Sequence, residues 1–262
     1  MTKIPVYLVS LERDELRRTE LAKRFPKSYS EFIFNKPAVD GRLIDAKSYY
    51  DQILPCFIDN GRLLSPSELG CTLSHMAILG EFLASSEKLA LVIEDDVIGN
   101  EEDLSEVFIN AQHLKGNSLY ICGGQQSTTV RRFLLGKKTR FEGLFSVSRF
   151  SSDYILRTCC YVVTRCAAKN ILDYYTEVLS LADSWGDISR KKGIRIYYSD
   201  TIKHPDDLSF SHIEADRREI KDIPLIKKIL SLSFLSRVRR YLFRNLISRL
   251  MLVFGYKRLY VK

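Results

Sequence analysis

The sequence holds no run of eighteen uncharged apolar residues, which excludes a membrane-spanning helix of ordinary length. It has no CxxC pair, and its six cysteines make no zinc-like cluster with the four histidines. Cys56, Cys71, Cys122, Cys159, Cys160 and Cys166 mostly sit among apolar neighbours and read as small core residues in a reducing compartment. The opening MTKIPVYLVS carries an apolar run too short for a signal peptide and no cleavage pattern, so a cytoplasmic location is expected. Repeats and low-complexity tracts are absent. Acid is nearly absent from the end of the chain: from Lys221 onward there are eleven Lys/Arg against the single Asp222. That stretch carries +10 of an overall net +8, and residues 1–220 carry −2. A near-neutral body argues against a nucleic-acid-binding module as the whole function. The basic tail points to an anionic surface.

What is present centres on Leu89–Val97, LALVIEDDV. A short run rich in Val and Ile reads as a buried strand, expected in a parallel sheet. It ends in Glu94, Asp95 and Asp96. Ligands of open α/β sheets bind outside the carboxyl ends of the strands, so these acids mark a site. Alternation along a strand puts Glu94 and Asp96 on one face and Asp95 on the other. Two carboxylates on one face suit Mg²⁺ or Mn²⁺. Asn100 is placed to cap the following helix, with Glu101, Glu102 and Asp103 in its first turn.

Ahead of this strand, Val6–Ser10 reads as a first strand and Glu12–Phe25 as a helix ended by Pro26, with Leu16 and Leu21 facing inward. Phe32–Phe34 reads as a second short strand, before the turn Asp40-Gly41. Leu64–Ser85 starts with Ser65 at the N-cap, Pro66 at the first helical position and Glu68 completing a capping box. Leu69, Leu73, Met76, Leu79 and Leu83 follow at helical spacing. Gly70 inside this helix costs about 1 kcal/mol relative to Ala, which implies close packing of backbone or ligand there. Cys71, Ser74 and His75 share a neighbouring face.

Glu101–Leu114 continues as a helix and Leu119–Cys122 as a strand closed by Gly123-Gly124. Gln125–Phe150 reads as a hairpin or a loop over the site. Tyr154–Thr164 is β-rich, Ala167–Tyr175 helical and Arg195–Tyr198 a late strand. Ala182–Asp187, ADSWGD, sets Asp183 and Asp187 around the only tryptophan. His204-Pro205 opens a loop with Asp206, Asp207 and His212. Two segments are expected: a catalytic domain over 1–220 and a basic amphipathic helical segment over 221–262. In the latter, Leu235, Val238, Leu242, Leu246, Leu250 and Val253 share one helical face. That face either lies on an anionic membrane or packs on the body.

The order of motifs resembles glycosyltransferase family 25. VYLVSLERDELRR is followed by PAVDGR, LSPSELGCTLSHMAIL, LALVIEDDV and CCYVVTRCAAKNIL, and the likeness covers roughly residues 4–215. Ser10 stands where the first motif more often has Asn, and Ser67 where the helix motif often has Gly. The resemblance implies a GT-A-like, Rossmann-related mixed sheet flanked by helices. It also implies an inverting transfer of a sugar, usually galactose from UDP-galactose, with a divalent metal. The acceptor it implies is a lipooligosaccharide or other lipid-linked saccharide at the inner face of the inner membrane.

On this reading Leu11, Arg13, Arg17, Gly70, Ser74, His75, Glu94 and Asp95 surround the UDP-sugar. Asp96 ligates Mn²⁺ or Mg²⁺ with Glu94 or Asp95 assisting, and His204 or His212 completes the set. A base must take the proton of the acceptor hydroxyl. Asp183 and Asp187 are the first candidates, because an acid beside a tryptophan can meet a sugar stacked on the indole, and Asp153 follows. Two other classes use some of the same features: a metal-dependent phosphoester hydrolase, and a basic module binding membrane or nucleic acid.

Overall fold

A computed structural model describes residues 4–206, Ile213, Asp216 and 234–260. The described chain forms nine strands and seven α-helices around one mixed sheet. The strands are β1 Val6–Val9, β2 Phe32–Ile33, β3 Leu89–Glu94, β4 Ser118–Gly123, β5 Leu135–Lys138, β6 Phe145–Val147, β7 Cys160–Thr164, β8 Arg195–Ile202 and β9 Lys257–Arg258. Their order across the sheet is β2-β1-β3-β7-β4-β8-β6-β5-β9. β1 runs parallel to β2 and to β3, and β4 runs parallel to β8. β7 is inserted antiparallel between β3 and β4. The central strand is therefore not in an all-parallel sheet: it has one parallel and one antiparallel neighbour. The carboxyl ends of β1, β3, β4 and β8 and the amino end of β7 all open on the same edge.

The helices are α1 Glu15–Arg24, α2 Ala46–Asn60, α3 Pro66–Ala84, α4 Glu101–Ala111, α5 Arg165–Glu177, α6 Trp185–Lys192 and α7 Phe234–Val253. Strand alternation sorts them into two layers. Ala90 and Val92 of β3 face a core shared with Leu79 and Phe82 of α3, Ile171 of α5 and Trp185 of α6. Leu91 and Ile93 face the opposite core, with Leu21 of α1 and Leu104 and Val107 of α4. Leu21 is fully buried as expected, but Leu16 is 84% exposed, because α1 offers the sheet only a narrow stripe.

α3 begins as its sequence requires. The Ser65 hydroxyl accepts from the Glu68 backbone N–H, and the Glu68 carboxylate accepts from the Ser65 N–H at 3.0 Å. α4 repeats the device with Asn100 and Asp103. Gln125–Phe150 does contain a hairpin, β5–β6. It is not a cover over the site, because β6 pairs with β8 and extends the sheet sideways. β9 pairs with β5 at the far edge, so the end of the chain completes the same sheet. Among the described residues no helix is long and apolar enough to cross a membrane.

Candidate active site

Strand β3 delivers its three acids in three directions. Glu94 continues the alternation toward α3 and meets His75, whose Nε2 lies 3.3 Å from Oε1. The Thr158 hydroxyl, just before β7, donates to the same oxygen. His75 Nδ1 hydrogen-bonds the buried Tyr161 hydroxyl at 3.0 Å, so the ring is fixed from both sides. Burial alone would raise the pKa of Glu94. The bonds from His75 and Thr158 outweigh it and hold the carboxyl below its ordinary value.

Asp95 points to the other layer, where Arg17 of α1 donates to its Oδ1 at 3.1 Å. Burial pushes the Asp95 carboxyl up to about 6, against the pull of Ser10 and Arg17. Asp96 lies beyond the last strand residue, where alternation no longer sets direction. Its Oδ2 is 3.7 Å from Arg17 and 3.8 Å from His204 Nε2. Burial and the neighbouring Glu94 charge raise its pKa. Its other oxygen, Oδ1, is buried with no hydrogen-bond partner among the described residues. A buried carboxylate oxygen left unpaired is costly unless a cation or ligand satisfies it.

These acids line one cleft with residues of the parallel-strand ends. Val9, Ser10, Leu11, Arg13, Asp14 and Arg17 follow β1. Ala38, Val39, Asp40, Gly41 and Arg42 form one wall, and Ser67, Glu68, Cys71 and Ser74 of α3 another. Arg157, Thr158, Asp183 and His204 close it. The Arg13 guanidinium is ion-paired to Asp40, which also accepts from Arg42. Arg17 is turned inward on the two aspartates and balances their charge.

Ser74 acts as a fastener: its hydroxyl donates to the Gly70 carbonyl at 2.7 Å and accepts from the Val39 N–H at 2.8 Å. Gly70 does not line the cleft. A Cβ there would come within 2.5 Å of the Gly41 nitrogen and the Val39 oxygen, so its absence lets two backbones touch. Gly123-Gly124 likewise serves packing, since Cβ atoms there would strike the Ile202 carbonyl and Cys159 Sγ.

The three candidate bases part company. Asp183 lines the cleft, and its Oδ2 accepts from the Arg157 N–H at 2.8 Å. Asp187 and Asp153 are exposed, lie outside the cleft lining and share Arg190 as ion-pair partner. Trp185 is not available for sugar stacking. It is 2% exposed, packs edge-on against Tyr161 and donates its Nε1–H to the Arg157 carbonyl at 3.0 Å. It supports Arg157 from behind. His212 lies outside the described residues.

Sequence reasoning missed Thr158, Arg157 and Asp40. Arg157 adopts a left-handed backbone, φ +69°, and its guanidinium donates to the Gly124 and Gln126 carbonyls. Nothing in a one-dimensional pattern marks a non-glycine residue for that conformation. Asp40 did have a signal, the Asp-Gly turn that runs directly into Arg42.

Cys71, His75 and Glu94 also bring ligand-type atoms within 4.8 Å of one another. Hydrogen bonding already accounts for the pairing of His75 with Glu94. Asp96, with an open oxygen and His204 alongside, is the better fit to a divalent cation. The carboxylate is the hard oxygen donor that Mn²⁺ and Mg²⁺ prefer, and His204 could add one imidazole beside it.

The family model described as Glycosyltransferase family 25 (LPS biosynthesis protein) matches residues 3–185. A "Glycosyltransferase 25 family member" of Anopheles gambiae is 34% identical over 97 residues, 35% of this chain and 16% of that protein. A protein of the same name from Aedes aegypti is 33% identical over 97 residues, with the same coverage. The "Inactive glycosyltransferase 25 family member 3" of Homo sapiens is 29% identical over 179 residues, 64% of this chain and 28% of its own length. The chain thus spans 16% to 28% of the length of these relatives.

Proposed function

The chain belongs to glycosyltransferase family 25, and from that premise we propose that its cleft moves a sugar from a UDP-sugar onto a saccharide hydroxyl, with inversion. One relative is named inactive, so membership alone does not carry turnover. The observation that carries it here is the buried, unpaired Oδ1 of Asp96 at the carboxyl ends of the parallel strands. Asp96 and His204 would hold the divalent cation, with Glu94 as neighbour. The cation would neutralise charge developing on the leaving diphosphate.

The remaining roles fall to side chains in place. Arg13 and Arg42 line the cleft at the Asp40 wall and would take the diphosphate or ribose. Arg17 keeps Asp95 and Asp96 together despite their like charge. Asp183 takes the proton of the acceptor hydroxyl as that oxygen bonds to the anomeric carbon and the bond to the diphosphate breaks. The Arg157 N–H orients Asp183, and Trp185 orients Arg157. Galactose is the donor sugar we favour and a lipid-linked saccharide the acceptor, both from the family likeness.

A panel of UDP-sugars with Mn²⁺ tests the reading by thermal shift and product analysis. We expect one UDP-sugar to raise the melting temperature in Mn²⁺ and to release UDP slowly. Release of inorganic phosphate instead would assign a phosphoester hydrolase. Absence of any protection by UDP-sugars would remove the proposal.

A further inference from the structure

We propose that α7 and the β5–β9 edge form a docking surface for an anionic lipid bilayer. The argument starts from which side of α7 meets the protein. Ser248 is buried, and the Arg244 guanidinium stacks 5.2 Å from the Phe133 ring and 5.9 Å from that of Tyr154. Those positions lie on the polar side of the helix. The apolar side is turned outward: Leu242 is 62% exposed, Leu246 57% and Val253 82%, with Leu250 also exposed. At 100° per residue these four lie within one narrow stripe, and Arg249 flanks it. The helix thus packs on the body by the face that holds Arg244 and Ser248, and among the described residues its apolar stripe stays exposed.

Charge identifies the occupant. β5 and β9 pair beside α7 and expose Lys137, Lys138, Lys257 and Arg258. No acid occurs from residue 234 to 260, and Glu142 is the only acid between residues 131 and 149. An apolar stripe flanked by Arg249, on a helix beside a sheet edge that exposes four cations and has Asp153 and Glu142 as its few acidic neighbours, matches an anionic interface. A protein partner would more often present charges of both signs. The inference is independent of the transfer reaction, since none of these residues lines the cleft.

The test uses the full chain with sedimented vesicles, either phosphatidylcholine alone or mixed with phosphatidylglycerol. We expect binding to the mixed vesicles only, weakening as salt rises. Leu246→Asp with Leu250→Asp should lower that binding by at least about tenfold and leave the melting temperature unchanged. Lys137→Glu with Lys138→Glu should weaken it at low salt. Four results overturn the proposal: no binding to anionic vesicles at low salt, binding indifferent to the Asp substitutions, self-association in solution that those substitutions abolish, or a large fall in their melting temperature. The third would assign the stripe to a second copy, and the fourth to the protein's own interior.

Discussion

At the residue scale, the acids of LALVIEDDV differ because the strand sends them to different partners. Asp96 combines burial, a neighbouring Glu94 and an unpaired oxygen, so in metal-free protein it is a destabilising group. Asp96→Asn should raise the melting temperature without metal and abolish the rise that Mn²⁺ gives the parent chain. An unchanged Mn²⁺ response in the variant would take Asp96 out of the ligand set. Asp95 supplies a pH signature. Its folded pKa of about 6 lies above its unfolded value, so the folded state binds the extra proton between the two. Stability gained from that proton is present below the unfolded pKa and is lost as pH rises through the folded one. Chelator-treated protein should therefore melt lower at pH 7 than at pH 5, and Asp95→Asn should flatten that slope. Equal slopes in both proteins would show that Asp95 does not govern it. Asp183→Asn keeps the Arg157 contact through its side-chain oxygen but removes the proposed base. Turnover should fall by ~10²–10⁴ with UDP-sugar affinity nearly unchanged. Full rate in that variant would move the base elsewhere.

At the scale of elements, the cleft is built where α3 meets the 38–42 wall. Gly70→Ala separates two opposing effects. Alanine gains about 1 kcal/mol of helix propensity. Its Cβ, though, would lie 2.5 Å from backbone atoms of Val39 and Gly41, which cannot rotate away. Overpacking of this kind costs about 1–3 kcal/mol, so the clash wins. The urea midpoint should fall and UDP-sugar affinity should weaken, because the displaced wall lines the cleft. A higher midpoint with normal affinity would refute the contact. The same elements show what the sequence could reveal. α3 was legible because its capping box and apolar spacing act within one helix. β3 was legible because an apolar run ending in acids has few other uses. α2 was not read as a helix. Pro55 interrupts it, and Tyr50, Leu54, Phe57 and Ile58 are exposed, so no single buried face stands out. The Trp185 role was misread because an indole deep in a core and one under a sugar have the same local sequence. The Asp183–Arg157 contact was hidden because it joins residues 26 apart through a backbone N–H.

At the scale of the whole molecule, residues 255–260 are tied to the sheet that carries the cleft rather than hung from it. Leu259 is 3% exposed within the main core, its N–H donates to the Leu134 carbonyl at 3.1 Å, and Tyr260 lies under the Arg131 guanidinium. Leu259→Ala should therefore cost about 2–5 kcal/mol in urea unfolding, as buried Leu→Ala changes do. Deleting the chain after Gly255 should cost more. It removes β9 and leaves β5 as a bare edge, which invites association between chains. UDP-sugar affinity of the Leu259→Ala protein at low temperature should stay close to the parent value. β9 is the sheet's outer strand, and the cleft lies at β1, β3, β7 and the end of β8. The two readouts together decide how the molecule is organised. Stability lost with affinity kept means that the basic segment completes the fold without touching the chemistry. Stability kept after the deletion would make the β5–β9 pairing dispensable.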